Sequence, residues 1–117
     1  MGLKPLPPAD GDAEWLRRIA AHLDQQAAQG QTLTYLALAD AVALPGPRRI
    51  HRLTRLLEKL LKADAEADQP IRAAWVTSRA RSGRPAPGFF ERAKRLGLFD
   101  GHDPDRFHDQ LLAQFKE

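Results

Sequence analysis

The chain has 117 residues, 43% of them apolar and 28% charged, with no cysteine and a formal net charge of +3. That length makes one domain with a real core, and the balance is that of an ordinary globular protein. The missing cysteines exclude disulfides, thiolate metal sites and cysteine nucleophiles; no apolar run approaches the ~18 residues of a membrane span, and the start "MGLKPLPPADGD" lacks the apolar segment of a secretory signal.

The charge is unevenly spread. Residues 48–62 hold six basic and one acidic side chain, and residues 72–95 hold seven basic and one acidic, so the other 78 residues carry a net −8. Asymmetry of this kind is an argument about partners rather than about fold. An anionic partner is expected, and a cytoplasmic location suits the composition.

Residues 1–12, with three prolines, read as a flexible N-terminal arm, and 13–117 as the folded domain. The first helix is expected at 13–29, with Asp12 as N-cap and Gly30 just past its end. Trp15, Leu16, Ile19, Ala20, Leu23 and Ala27 recur on one face at helical spacing. "QTLTY" has brief extended character, and Thr34 can cap a short helix at 35–43. After the "LPGP" turn, Pro47 is expected at the first position of a third helix, 47–63. Its buried stripe is Ile50, Leu53, Leu56, Leu57, Leu60 and Leu61, while Arg48, Arg52, Arg55, Lys59 and Lys62 line one exposed edge. "ADAEADQ" reads as an acidic loop. Residues 71–77 read as a strand, with a short partner around 84–87 limited by prolines. "RARSGRPAPG" between them is a turn. Helices follow at 89–96, stopped by Gly97, and at 104–115, where Asp103 caps, Pro104 starts and Phe107, Leu111 and Phe115 face inward.

The fold class expected is mainly α with a small β-hairpin (α+β). The order helix, strand, helix, turn, helix, hairpin matches a winged helix–turn–helix with additional C-terminal helices. The third helix takes the recognition position and residues 78–87 the wing.

The basic row is the main functional signal. Solvated helices usually mix signs, with Glu four residues before Lys; here only Glu58 relieves the run. A row that repels itself suggests an external use, since helix–turn–helix proteins set such a helix against DNA with basic side chains on phosphates. The ordinary alternative is a solvated face. Arg79, Arg81 and Arg84 would add phosphate or narrow-groove contacts from the wing. Five to six such contacts would give a log–log salt slope of roughly −5. Asn and Gln, the usual adenine readers, are nearly absent from the third helix, which favours backbone, shape or guanine readout. His102 and His108 with Asp100, Asp103 and Asp105 fit no zinc or calcium spacing, and the Asp-Pro-Asp run has a simpler use as a helix start. His51 reads as a surface residue facing DNA. Trp15, Phe89, Phe90, Phe107 and Phe115 read as core. No catalytic triad, phosphate-cradling glycine loop or metalloprotease helix is present, so no enzyme activity, cofactor or metal is expected.

"TYLALADAVALPGPRRIHRL", residues 34–53, resembles the DNA-binding segment of the O6-alkylguanine-DNA alkyltransferases and the catalytically inactive alkyltransferase-like proteins. Thr34-Tyr35, Pro45 and Arg49 match by type and spacing, and the tail "GLFDGHDPDRF" is similar to that family's closing stretch. The resemblance implies that Tyr35 rotates a target phosphate and Arg49 fills the gap left by an extruded base. The family's Pro-Cys-His-Arg strand would align near "IRAAWVT", residues 71–77, where Arg72 or a neighbour takes the nucleophile's place and Ala73 and Ala74 replace the His and Arg. Alkyl transfer to sulfur is therefore ruled out.

The sequence thus points to a non-enzymatic double-stranded DNA-binding protein, regulatory or architectural, with no membrane partner. Its contacts would be Tyr35, Arg48, Arg49, Arg52, Arg55, Lys59, Arg79, Arg81 and Arg84. The alternatives are a winged-helix adaptor whose partner is another protein, and a DNA lesion sensor of the alkyltransferase-like type. RNA stays open as a ligand, because phosphate reading alone does not separate duplex types.

Overall fold

A computed structural model describes residues 11–116, and the expected N-terminal arm lies outside them except for Gly11 and Asp12. Helix α1 spans Asp12–Gln29 and ends on Gly30, whose left-handed φ of 67° lets its N–H return to the carbonyl of Ala27. Asp12 is the first helical residue rather than the cap, where its carboxylate favours the helix dipole. Trp15, Ile19 and Leu23 are buried, and Leu16, Ala20 and Ala27 pack on the flank of the same core.

Strand β1 is only Leu33–Thr34. It feeds α2, Tyr35–Ala41, whose first turn is capped by the Thr34 hydroxyl accepting from the Ala37 N–H at 3.1 Å, a contribution of about 1 kcal/mol. Leu38 and Ala39 are buried. Helix α3 spans Arg49–Glu66. Pro47 is not its first residue. The cap is Arg48, in the left-handed conformation with φ 60° and no side-chain capping bond.

Leu53, Leu56, Leu57, Leu60 and Leu61 form the buried stripe of α3, but Ile50 is 39% exposed because it lies beyond the cover of the core. The helix also runs three residues past the expected end, into the supposed acidic loop. Asp64 there is 2% exposed. Its carboxylate accepts from the Arg72 backbone N–H at 3.1 Å and from the Arg72 guanidinium at 2.8 Å and 3.2 Å, so a buried ion pair carries the last turn. Asp24 of α1 adds a longer contact to Arg72 at 3.6 Å.

The expected strand at 71–77 is mostly a 3-10 turn, Arg72–Trp75, followed by strand β2, Val76–Thr77. β2 pairs in parallel with β1, Leu33 opposite Val76 and Thr34 opposite Thr77. The expected hairpin is therefore corrected. Its second strand shrinks to one antiparallel bridge, Ser78 to Arg84, since Pro85 and Pro87 have no N–H to extend a ladder. A second 3-10 turn, Arg79–Arg81, fills the loop.

Helix α4, Pro87–Arg95, starts on a proline and buries Phe89 and Ala93. Helix α5, Pro104–Ala113, is capped by Asp103, whose side chain accepts from the Arg106 N–H. Leu111 and His108 are its buried residues, with Phe107 and Phe115 at the core margin. The described chain is thus mainly helical, with one two-stranded sheet. Among the described residues, no helix is long and apolar enough to cross a membrane.

Candidate nucleic-acid interface

The 3.6-residue period of α3 puts leucines on one side and leaves Arg52, Arg55 and Lys59 on the other, next to the cap residue Arg48. Those four side chains, with His51, line one shallow hollow of about 340 Å³ between α3 and the start of α1. Its apolar floor is Leu56, and its single acid among the described residues is Asp12. Lys62 is exposed one turn further on.

The hollow is reinforced from beneath. The Arg52 guanidinium lies 5.5 Å from the centre of the Trp15 ring, and that of Arg18 lies 5.2 Å away. Cation–π contact of this kind limits where Arg52 can point. Asp12 forms an ion pair with Lys59, and that hydrogen bond holds its carboxyl below the usual range. Arg48, Arg52 and Arg55 form no ion pair with a carboxylate among the described residues, although the charges of Arg52 and Arg55 also help to lower the pKa of Asp12.

Arg49 points elsewhere. Its guanidinium pairs with Asp40 at the end of α2, and its side chain is 30% exposed. Tyr35 is half-buried at the other flank of α3. Its hydroxyl oxygen accepts from the Ala86 N–H at 3.3 Å, which leaves the phenol proton free to donate. Burial pushes the phenol above its ordinary value, and the Ala86 bond partly opposes this. Beside it is a mainly apolar recess of about 90 Å³ walled by Leu57, Leu61, Ala73 and Phe89.

The residues expected on a wing divide. Arg79 and Arg81 are exposed, and Arg81 lines an open groove of about 600 Å³ with Phe90, Phe99 and Pro104 that includes no residue of α3. Arg84 is turned inward. It donates to the Asp109 carboxylate at 2.7 Å, to the Asp105 carbonyl at 3.0 Å and toward Nδ1 of His108 at 3.0 Å. Of the thirteen basic side chains in the two rich segments, four face carboxylates among the described residues: Arg49, Lys59, Arg72 and Arg84.

The structure therefore gathers Arg48, Arg52, Arg55 and Lys59, sets Arg49 and Tyr35 on flanks, and commits Arg84 to α5. Sequence reasoning missed Trp15 as the support of Arg52, because 37 positions separate them and both fit simpler roles. It also missed Asp12 and Asp40 as partners of α3 cations; acids in a helical first turn or a short helix carry no signal of a remote pair.

Comparison with family models, with curated protein sequences and with solved structures finds no match for the chain.

Proposed function

We propose that the protein is a non-enzymatic binder of double-stranded DNA, of winged-helix type, that docks through the exposed edge of α3. The succession of α1, β1, α2, α3 and β2, closed by the Ser78–Arg84 bridge, is compatible with that fold, with 78–84 as a reduced wing.

One observation carries the reading: three arginines that form no ion pair among the described residues share a concave face with Lys59 and His51, against the one carboxylate of Asp12 among the described residues there. Like charges so close disfavour one another in the free protein, and duplex phosphates relieve that repulsion by releasing their counterions. Arg48 adds a second point. Its left-handed backbone would suit glycine, yet an arginine occupies it and joins the basic hollow.

The test is a fluorescence-anisotropy titration of a labelled duplex of about 20 base pairs at about 50 and 200 mM salt. Micromolar or tighter binding with a log–log slope of roughly −3 to −4 is expected. This is shallower than the sequence suggested, because Arg84 is used internally. Absence of binding at the lower salt would reject the reading, and a matched RNA duplex shows whether the surface separates the two.

A further inference from the structure

Two α3 cations are held by carboxylates from other helices: Arg49 by Asp40 of α2, and Lys59 by Asp12 of α1. The Lys59–Asp12 pair lines the basic hollow itself, while the Arg49–Asp40 pair lies outside it, beside Arg48 in sequence. Asp40 is 62% exposed and Asp12 46%, whereas Arg49 and Lys59 are 30% and 49% exposed. Neither acid has a structural duty comparable to that of Asp64. Among the described residues, the Asp40 carboxylate pairs with Arg49 alone while its backbone carbonyl accepts from the Ala43 N–H, and Asp12 already contributes to the dipole of α1 from its first turn.

We infer that Asp12 and Asp40 are built-in competitors of the polyanion, each holding one cation of α3 in the free protein and surrendering it when phosphate arrives. The inference rests on the DNA-binding reading and adds its regulation. A carboxylate beside a cation imitates a phosphate oxygen, so the ligand must displace it before gaining the contact. Exposed pairs of this kind are weak and screened by salt, so the exchange is graded rather than all-or-none. The acids also repel the duplex directly, within a Debye length of about 8–10 Å. Weak non-specific binding is thereby suppressed while the full set of arginines remains available to a ligand that engages the whole edge.

The experiment compares wild type, Asp40→Asn, Asp12→Asn and the double variant in the same duplex titration at about 50 mM salt. Asp68→Asn serves as a charge control. It changes the same charge at an exposed residue just past α3 with no ion-pair partner among the described residues, and at its φ of 55° asparagine is well tolerated. Each single variant should bind up to about fivefold more tightly, the double variant more tightly still, and the control should change less than twofold. Thermal melts check that all remain folded.

If wild type binds and the two variants bind no better than the control, the competitor role is overturned while the DNA reading stands. If wild type fails to bind at about 50 mM salt, the DNA reading falls and the competitor role, which rests on it, falls with it.

Discussion

Nη1 of Arg84 lies 3.0 Å from Nδ1 of His108, a ring that is 1% exposed and whose Nε2 lies 2.8 Å from the Ala74 carbonyl. A carbonyl only accepts and a guanidinium only donates, so the tautomer is fixed: Nε2 carries the proton and Nδ1 accepts. One neutral imidazole thus ties Arg84, the turn before β2 and α5 together.

A pH dependence follows from that tautomer. Burial is the largest cause holding the His108 pKa below its ordinary 6.5, with the charge of Arg84 acting the same way and the Ala74 bond, Asp109 and Asp105 opposing. A depressed folded pKa means that the unfolded chain takes up the proton first, so stability is complete above about pH 6.5 and falls as pH drops below it. Asp109 and Asp12 are also depressed, by the hydrogen bonds of Arg84 and Lys59, so their contributions are lost only at lower pH, through the carboxylate range. Thermal melts from pH 8 to 5 should show a falling Tm below about 6.5, and His108→Gln should flatten that limb. A Tm independent of pH between 5 and 7 in wild type would contradict the assigned tautomer.

Asp64→Ala should be among the most damaging single changes. It leaves the Arg72 backbone N–H and a guanidinium that is 28% exposed without their main acceptor. Breaking a buried pair costs about 3–5 kcal/mol, and the partial exposure of Arg72 lowers this to roughly 2–3 kcal/mol. Urea denaturation at pH 7 measures it directly. A loss under about 0.5 kcal/mol, the range of a surface change, would show that the pair does not hold the end of α3.

Leu56→Ala and Ile50→Ala separate the two sides of α3. Leu56 is 2% exposed and should cost about 2–4 kcal/mol on truncation. Ile50 is 39% exposed and should cost well under 1 kcal/mol. Equal losses in the two variants would mean that the helix is rotated from the orientation described.

Much of the frame was legible because it is local. Thr34, Gly30 and the Asp103-Pro104 start are caps that act within four residues, and the leucine stripe of α3 follows from periodicity alone. What escaped depends on distant partners. The acidic run 63–66 looks hostile to the negative end of a helix, yet Arg72 neutralises Asp64 and the helix continues through it. β1 and β2 are two residues each and 42 positions apart, too short for an alternation signal to reveal their parallel pairing. At the site, the sequence places a positive row on α3 by spacing. Which cations of α3 are paired depends on Asp12 and Asp40, whose positions only the folded chain sets.

Arg55→Ala and Arg84→Ala should behave oppositely. Arg55 is exposed in the basic hollow, so its loss should weaken binding to all duplex sequences alike and reduce the salt slope by about 1. Arg84 is bonded to α5, so its loss should lower Tm and leave the slope unchanged. A reduced slope in Arg84→Ala would place that side chain on the ligand after all.

Arg48→Gly sets stability against binding at one position. A non-glycine residue in the left-handed region costs about 1–2 kcal/mol, and Arg48 has φ 60° with no side-chain cap to offset it. Glycine removes that strain but loses more backbone entropy on folding, by about 0.5–1 kcal/mol. The balance is a stability that is unchanged or higher by up to about 1.5 kcal/mol, read from a rise in Tm. The same substitution removes a guanidinium from the hollow, so duplex affinity should fall and the salt slope should drop by about 1. A variant that melts no lower than wild type yet binds less tightly would identify Arg48 as a residue kept for the ligand rather than for the fold. A variant clearly less stable than wild type would instead show that the Arg48 side chain supports the start of α3.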